Sequence, residues 1–196
     1  MNYIKLFEDF NSYINKDVNE LMNYLSKYSI PFSKWGTGKS KTIEDLHDEL
    51  INKECSIIED GDSITRIIEF VGIKVYYRDD KGDIYFLKED RQEFNDGRTR
   101  RRNMPTSVAE KMKYGESPLI AGVRGIKEEL NVDVSSSQLT KKKDIRYNGS
   151  SLSYPGLRSK YKGYEFTCFF DKTQFNEEGY IEVQRTKKTY FKWVKI

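Results

Sequence analysis

The spacing of hydrophobic and polar positions changes along the chain. In its first third, apolar residues recur at helical intervals. Ile4, Leu6, Phe7, Phe10, Tyr13 and Ile14 form one stripe, and Val18, Leu21, Met22 and Leu25 form a second. The polar run Asn15-Lys16-Asp17 divides them, and the Asp17 carboxylate suits the free N–H groups of a first helical turn. The pattern predicts helices over about 3–14 and 18–28, the second stopped by Pro31. Residues 31–40 read as a loop. Thr42 then opens a third helix with Ile43, Leu46, Leu50 and Ile51 as its buried stripe, and Asp45 approximates the acid of a capping box.

From Ser63 the period changes to that of strands. Ile64 to Tyr77 is rich in β-branched and aromatic residues. Asp79-Asp80-Lys81-Gly82-Asp83 is a turn, and Ile84 to Lys88 completes a predicted hairpin. Residues 89–106 are polar, with a turn at Asp96-Gly97. Ser117 and Pro118 suit a helix start, and Leu119, Val123, Ile126 and Leu130 make its apolar stripe. Tyr161 to Phe170 reads as a strand, and Tyr180 to Ile196 as one or two more, with Phe191 and Trp193 in the core. The change of period near residue 60 predicts a helical extension over 1–60 and an α/β domain over 61–196, a mixed sheet with helices on its faces.

Composition narrows the function. The chain has 196 residues, enough for one domain or one domain with an added segment. Hydrophobic residues are 37% and aromatics 14%, so a buried core is expected despite a mean hydropathy of −0.77. The net charge of +3, from 34 basic and 31 acidic residues, is too mild to mark a nucleic-acid binder. Two separated cysteines, Cys55 and Cys168, and a single histidine, His47, argue against zinc and against a disulfide framework. A reducing, cytoplasmic setting is expected. The acidic amphipathic N-terminus does not read as a signal peptide, and no apolar run suggests a membrane partner.

Two stretches carry candidate chemistry. Gly36-Thr37-Gly38-Lys39-Ser40 ends like a phosphate-binding loop, but Ser33 stands where that motif needs glycine, and no buried strand precedes it. It reads as a loop before a capped helix. The second stretch, Glu110 to Val132, holds the turn Gly115-Glu116, the helix start Ser117-Pro118, and then Arg124, Glu128 and Glu129. Arg124 and Glu128 are four apart and share a helix face. A turn, a helix and converging carboxylates are the ingredients of a magnesium site for phosphate chemistry.

This stretch resembles the signature of the Nudix hydrolases, G-x5-E-x7-R-E-U-x-E-E-x-G-U, with U a bulky aliphatic. Glu116 takes the first acidic position, Arg124 follows after seven residues, Ile126 is the aliphatic, Glu128 and Glu129 the paired acids, and Val132 the last aliphatic. Three positions depart. Glu110 stands for the leading glycine, Gly125 for the acid after the arginine, and Asn131 for the late glycine. Asn131 is a tolerable exchange because asparagine also visits left-handed backbone geometry.

The resemblance implies a Nudix-like sheet between helices and a pyrophosphohydrolase of a nucleoside diphosphate linked to another moiety, using Mg²⁺ or Mn²⁺. It implies Glu128 and Glu129 as metal ligands and Glu116 and Arg124 as braces of the loop-helix-loop. With Gly125 in place of an acid, a further carboxylate is expected from Glu177, Glu178 or Glu182, of which Glu182 is chosen. Arg98, Arg100 and Arg102, with Lys111, are candidates for substrate phosphates, since arginine donates in a fork that fits them. Tyr154, in the turn-rich Ser150 to Leu157, is the candidate ring for a base, although Pro-Gly turns are more often structural. Two alternatives stay open: a Nudix-like module that binds or senses a nucleotide without cleaving it, and an RNA-associated protein acting on capped RNA through the arginine cluster.

Overall fold

The computed structural model describes residues 17–196. The helix expected over 3–14 lies outside the described residues. The chain divides into two compact units. One takes the described residues up to Glu69 together with Met112–Gly115 and Arg146–Lys162, and the other takes Phe70–Lys111, Glu116–Ile145 and Gly163–Ile196. The first unit therefore draws on residues well beyond position 60.

In the first unit, helix α1 (Val18–Lys27) starts at Asp17, whose side chain accepts from the Asn19 N–H, and helix α2 (Ile43–Ile51) starts at a complete Thr42/Asp45 capping box. Both starts follow the sequence expectation. Leu21 and Leu25 of α1 and Leu46 and Leu50 of α2 join Trp35, Ile57, Ile64, Ile68, Tyr154 and Leu157 in one core. Strand β1 (Ser56–Asp60) pairs antiparallel with the start of β2 (Ser63–Arg78). Burial is not wholly apolar here. Arg66 is buried against Glu49, which also binds Lys41 at 2.7 Å, and the Arg66 guanidinium lies 5.0 Å from the Tyr154 ring centre.

The second unit is a sheet with helix α3 (Pro118–Leu130) against it. Its strands include β3 (Ile84–Phe94), β4 (Thr99–Arg100), β5 (Val108–Lys111), β8 (Tyr180–Val183) and β9 (Lys187–Lys195), with the first part of β6 (Leu139–Ser150) and the later part of β7 (Arg158–Phe170). The strands that carry second-unit residues run in the order β6-β7-β2-β3-β9-β8, with β5 also on β2 and β4 also on β3. The fold is α/β, as the change of period implied. The expected β2–β3 hairpin forms around Asp79, whose Oδ1 accepts from the Lys81 and Asp83 N–H groups at 3.0 and 2.9 Å. Val71, Ile73, Val75, Leu87, Ile126, Phe166, Phe170 and Phe191 are buried. Trp193 is half-buried in an aromatic group with Tyr77, Phe170, Phe175 and Tyr180.

Two expectations need correction. β3 does not stop at Lys88 but continues to Phe94, because β9 pairs along it as far as Lys187. The buried face of α3 also differs. Ile126 and Leu130 are buried as expected, but Leu119 is 40% exposed, and Ala121, Gly122 and Gly125 take the inner positions. Small residues let the helix lie close on its neighbours. A Cβ on Gly122 would sit 2.5 Å from Leu139 Cδ2. Each helical glycine costs about 0.5–1 kcal/mol relative to alanine, a cost the close approach offsets.

Among the described residues no helix is long and apolar enough to cross a membrane.

Candidate active site

The site is built on β5, the turn before α3, and α3 itself. β5 is held antiparallel to β2, with Glu110 opposite Val71 and Val108 opposite Ile73. Gly115 has φ of 79°, a left-handed turn that glycine adopts without strain. Ser117 caps α3 by accepting from the Ile120 N–H at 3.3 Å, with Pro118 in the first turn. Asn131 ends the helix with φ of 55°, the left-handed geometry expected of it.

Arg124 is the hub. Its Nε and Nη2 donate to the two oxygens of Glu116, both at 2.9 Å. Nη1 donates to Glu110 at 2.8 Å and to Glu128 at 3.1 Å, and Nη2 also reaches the Lys111 carbonyl at 2.8 Å. The guanidinium thus ties the turn, the strand and the helix together. The Glu116 carboxylate first, and then Glu110, hold Arg124 well above the usual arginine range. Glu128 is more exposed, its side chain 53% accessible. An open cavity of about 520 Å³ beside the helix is lined by Ile120, Val123, Arg124, Lys127, Glu128 and Asp133, among others.

Glu129 faces another group of charges. Its Oε1 accepts from the Ala109 N–H at 3.2 Å. Burial, then the charges of Glu182 and Glu110, push its carboxyl up to about 8, and Arg102 opposes the rise. Glu182 on β8 is the chosen third acid and is half-buried there, whereas Glu177 and Glu178 lie exposed in the turn before it. The structure therefore brings Glu129 and Glu182 within electrostatic reach of each other.

Arg102 does not stand free. It is bound through two hydrogen bonds to Glu89, which is buried, and that contact raises its pKa. Arg98 and Arg100 are exposed. Arg98 pairs with Asp96 at 2.7 Å and lies over Phe94, and Arg100 is on β4. Lys111 contributes its backbone carbonyl to Arg124. Tyr154 is 0% exposed, packed in the first unit's core with Trp35 5.0 Å away, centre to centre. A ring covered in this way has no face to offer a base.

Sequence reasoning missed Glu89, Gln92 and Lys187. A β-bulge in β3 between Glu89 and Arg91 resets the alternation, so that Gln92, not Arg91, follows Glu89 into the interior. Gln92, in the amide orientation its neighbours require, accepts from Lys187 Nζ and Arg102 Nη2, both at 3.0 Å. Burial, and then Arg102, lower the pKa of Lys187. Burial thus acts in opposite directions on the acid Glu129 and the amine Lys187, disfavouring the charged form of each.

The resemblance implies a divalent cation. Among the described residues no group of three or more acids, cysteines or histidines is spaced to hold one by itself. Magnesium needs no such cage, because it commonly takes one or two carboxylates and completes its shell with water and substrate phosphate. Glu129, disfavoured as an anion beside Glu182 and Glu110, is the kind of oxygen donor a cation would stabilise. Carboxylate oxygens, as on Glu129 and Glu182, are the donor type such an ion takes.

No family model matches the chain, and no curated protein matches it. Among solved structures it is similar to a C. elegans Ap4A hydrolase, at 18% identity and a TM-score of 0.37 over 66% of this chain and 80% of that one. It is similar to a MutT/nudix family protein from Enterococcus faecalis, at 12% identity and a TM-score of 0.44 over 71% of this chain and 46% of that one. A third is the E. coli dihydroneopterin triphosphate pyrophosphohydrolase, at 19% identity and a TM-score of 0.41 over 64% of this chain and 79% of that one.

Proposed function

We propose that this chain is a Mg²⁺-dependent pyrophosphohydrolase of the Nudix type, acting on a nucleoside diphosphate linked to another group. One observation carries the reading: Arg124 binds the signature's turn acid Glu116 and its helix acid Glu128 together, while the adjacent Glu129 lies within the field of Glu182. A solvated helix with acids by chance has no reason to tie its arginine to a turn acid eight residues back.

Glu129 and Glu182 hold the ion, with Glu128 at the exposed side. When bound there, Mg²⁺ supplies Lewis-acid polarisation of the diphosphate and makes water a better nucleophile at neutral pH. Arg124 and Glu116 act on the protein alone: they brace the loop-helix-loop so that the acids are pre-positioned. Arg98 and Arg100 are the exposed donors for substrate phosphates. Arg102, committed to Glu89, orients the interior cluster, in which Lys187 donates to Gln92.

The test is release of a nucleoside monophosphate from a panel of nucleoside diphosphate derivatives with and without Mg²⁺ or Mn²⁺. Metal-dependent release that disappears in Glu129→Gln is expected. Turnover that survives Glu129→Gln would remove the site assignment. The absence of an acid at Gly125 favours a second reading, a module that binds a nucleotide without cleaving it; saturable nucleotide binding with no turnover in either metal would select it.

A further inference from the structure

Two departures from the signature are in contact with each other. The leading glycine is replaced by Glu110 and the acid after the arginine by Gly125. In the fold, a Cβ on Gly125 would lie 2.8 Å from Glu110 Cβ, 3.3 Å from Glu110 Cγ and 3.2 Å from Val108 Cγ1. The stem of Glu110 thus fills the space that a side chain at 125 would enter. Its carboxylate then accepts from Arg124 Nη1 at 2.8 Å.

We propose that the two positions are exchanged: Glu110 supplies from β5 the carboxylate that the signature places on the helix at 125, as a positioning residue for Arg124. The exchange is sterically reciprocal. A glycine at 110 would remove the two Glu110 contacts and leave Val108 Cγ1, at 3.2 Å, to give by a few tenths of an ångström, whereas the Glu110 Cβ at 2.8 Å excludes a side chain at 125 unless the strand shifts. It explains why α3 keeps a glycine in its middle, where a helix is weakened by one. It also returns a negative charge to the site by a different route. The inference rests on the proposed cation site for its ligand, but its steric half stands apart from any activity.

The test uses the full chain in four forms: wild type, Glu110→Gln, Gly125→Glu, and the exchanged pair Glu110→Gly with Gly125→Glu. Thermal unfolding without metal and Mn²⁺ affinity by titration calorimetry are read for each. Gly125→Glu alone is expected to lower Tm, since the new side chain meets the Glu110 stem. The exchanged pair is expected to recover most of that loss. Glu110→Gln keeps an oxygen for Arg124 and so is expected to fold, but to bind Mn²⁺ about tenfold or more weakly, the scale on which residues supporting metal ligands act. The exchanged pair is expected to regain that affinity. Tm losses that simply add in the pair would overturn the exchange. So would Mn²⁺ uptake that Glu110→Gln leaves unchanged, whether it is tight or absent in the wild type. Failure to hydrolyse any nucleotide, with the coupling and the Mn²⁺ effect intact, would sink the proposed activity and leave the exchange standing.

Discussion

The Arg124 guanidinium grips the Glu116 carboxylate through two hydrogen bonds of 2.9 Å, a fork-to-fork pairing across eight residues of chain. It converts a turn and a helix into one rigid piece, because both ends of the contact are geometrically fixed. The Arg124 side chain is 18% exposed, so the pairing is only partly screened by water.

Removing this hub will cost stability. Arg124→Ala leaves Glu116 and Glu110 without their shared donor, and a loss of about 1.5–3 kcal/mol is expected, the range for hydrogen bonds to charged groups. Arg124→Lys keeps the charge but not the fork, and will recover only part of the loss. Chemical denaturation of the three proteins measures this; equal stability for Lys and Arg would mean that geometry is not what matters.

Apo stability will fall with rising pH because of Glu129. Its folded pKa, up to about 8, lies above the ordinary carboxylate value. The unfolded chain therefore releases this proton at lower pH than the folded one. The contribution is fully present below the unfolded pKa, near 4.5, and is lost as pH rises toward about 8. Glu129→Gln will flatten this part of the Tm-against-pH curve, and Mg²⁺ will raise wild-type Tm most at the alkaline end. A wild-type curve parallel to that of the glutamine variant would contradict the assignment.

The arginines will separate by role. Arg98→Ala and Arg100→Ala are exposed changes expected to leave stability within about 0.5 kcal/mol while raising KM for a phosphorylated substrate. Arg102→Ala strips the buried Glu89 of its partner and is expected to cost about 3 kcal/mol, at the low end for a broken buried pair because Arg102 is partly exposed. Steady-state kinetics beside a melting curve distinguishes the two outcomes; a stable Arg102→Ala protein would argue against the interior role.

The end of α3 offers a local check. Asn131 is held at φ of 55°, so Asn131→Ala is expected to destabilise by about 1 kcal/mol and Asn131→Gly to be neutral or slightly stabilising. Urea titration of both variants measures the difference, and an alanine variant as stable as wild type would show that the left-handed cap carries no cost.

Much of this protein is local and is legible in its residues. Caps at Asp17, Thr42 and Ser117, the left-handed stop at Asn131 and the hairpin around Asp79 act within a few positions of chain, so their chemistry is written in sequence order. The spacing of Arg124 and Glu128 also survives translation into a contact, because the helix period sets which residues share a face. Tertiary structure decided the rest. The inner face of α3 is set by how closely β5 and Leu139 approach, so glycines displace the larger apolar residues that hydrophobicity favoured. The bulge in β3 turns Gln92 inward because β9 pairs across it, a distant constraint. Tyr154 is buried by packing around Trp35 and Arg66, residues about a hundred positions away along the chain. The meeting of Glu110 with Gly125 belongs to the same class: each looks like a defect in the signature by itself, and only the strand laid against the helix makes them one feature.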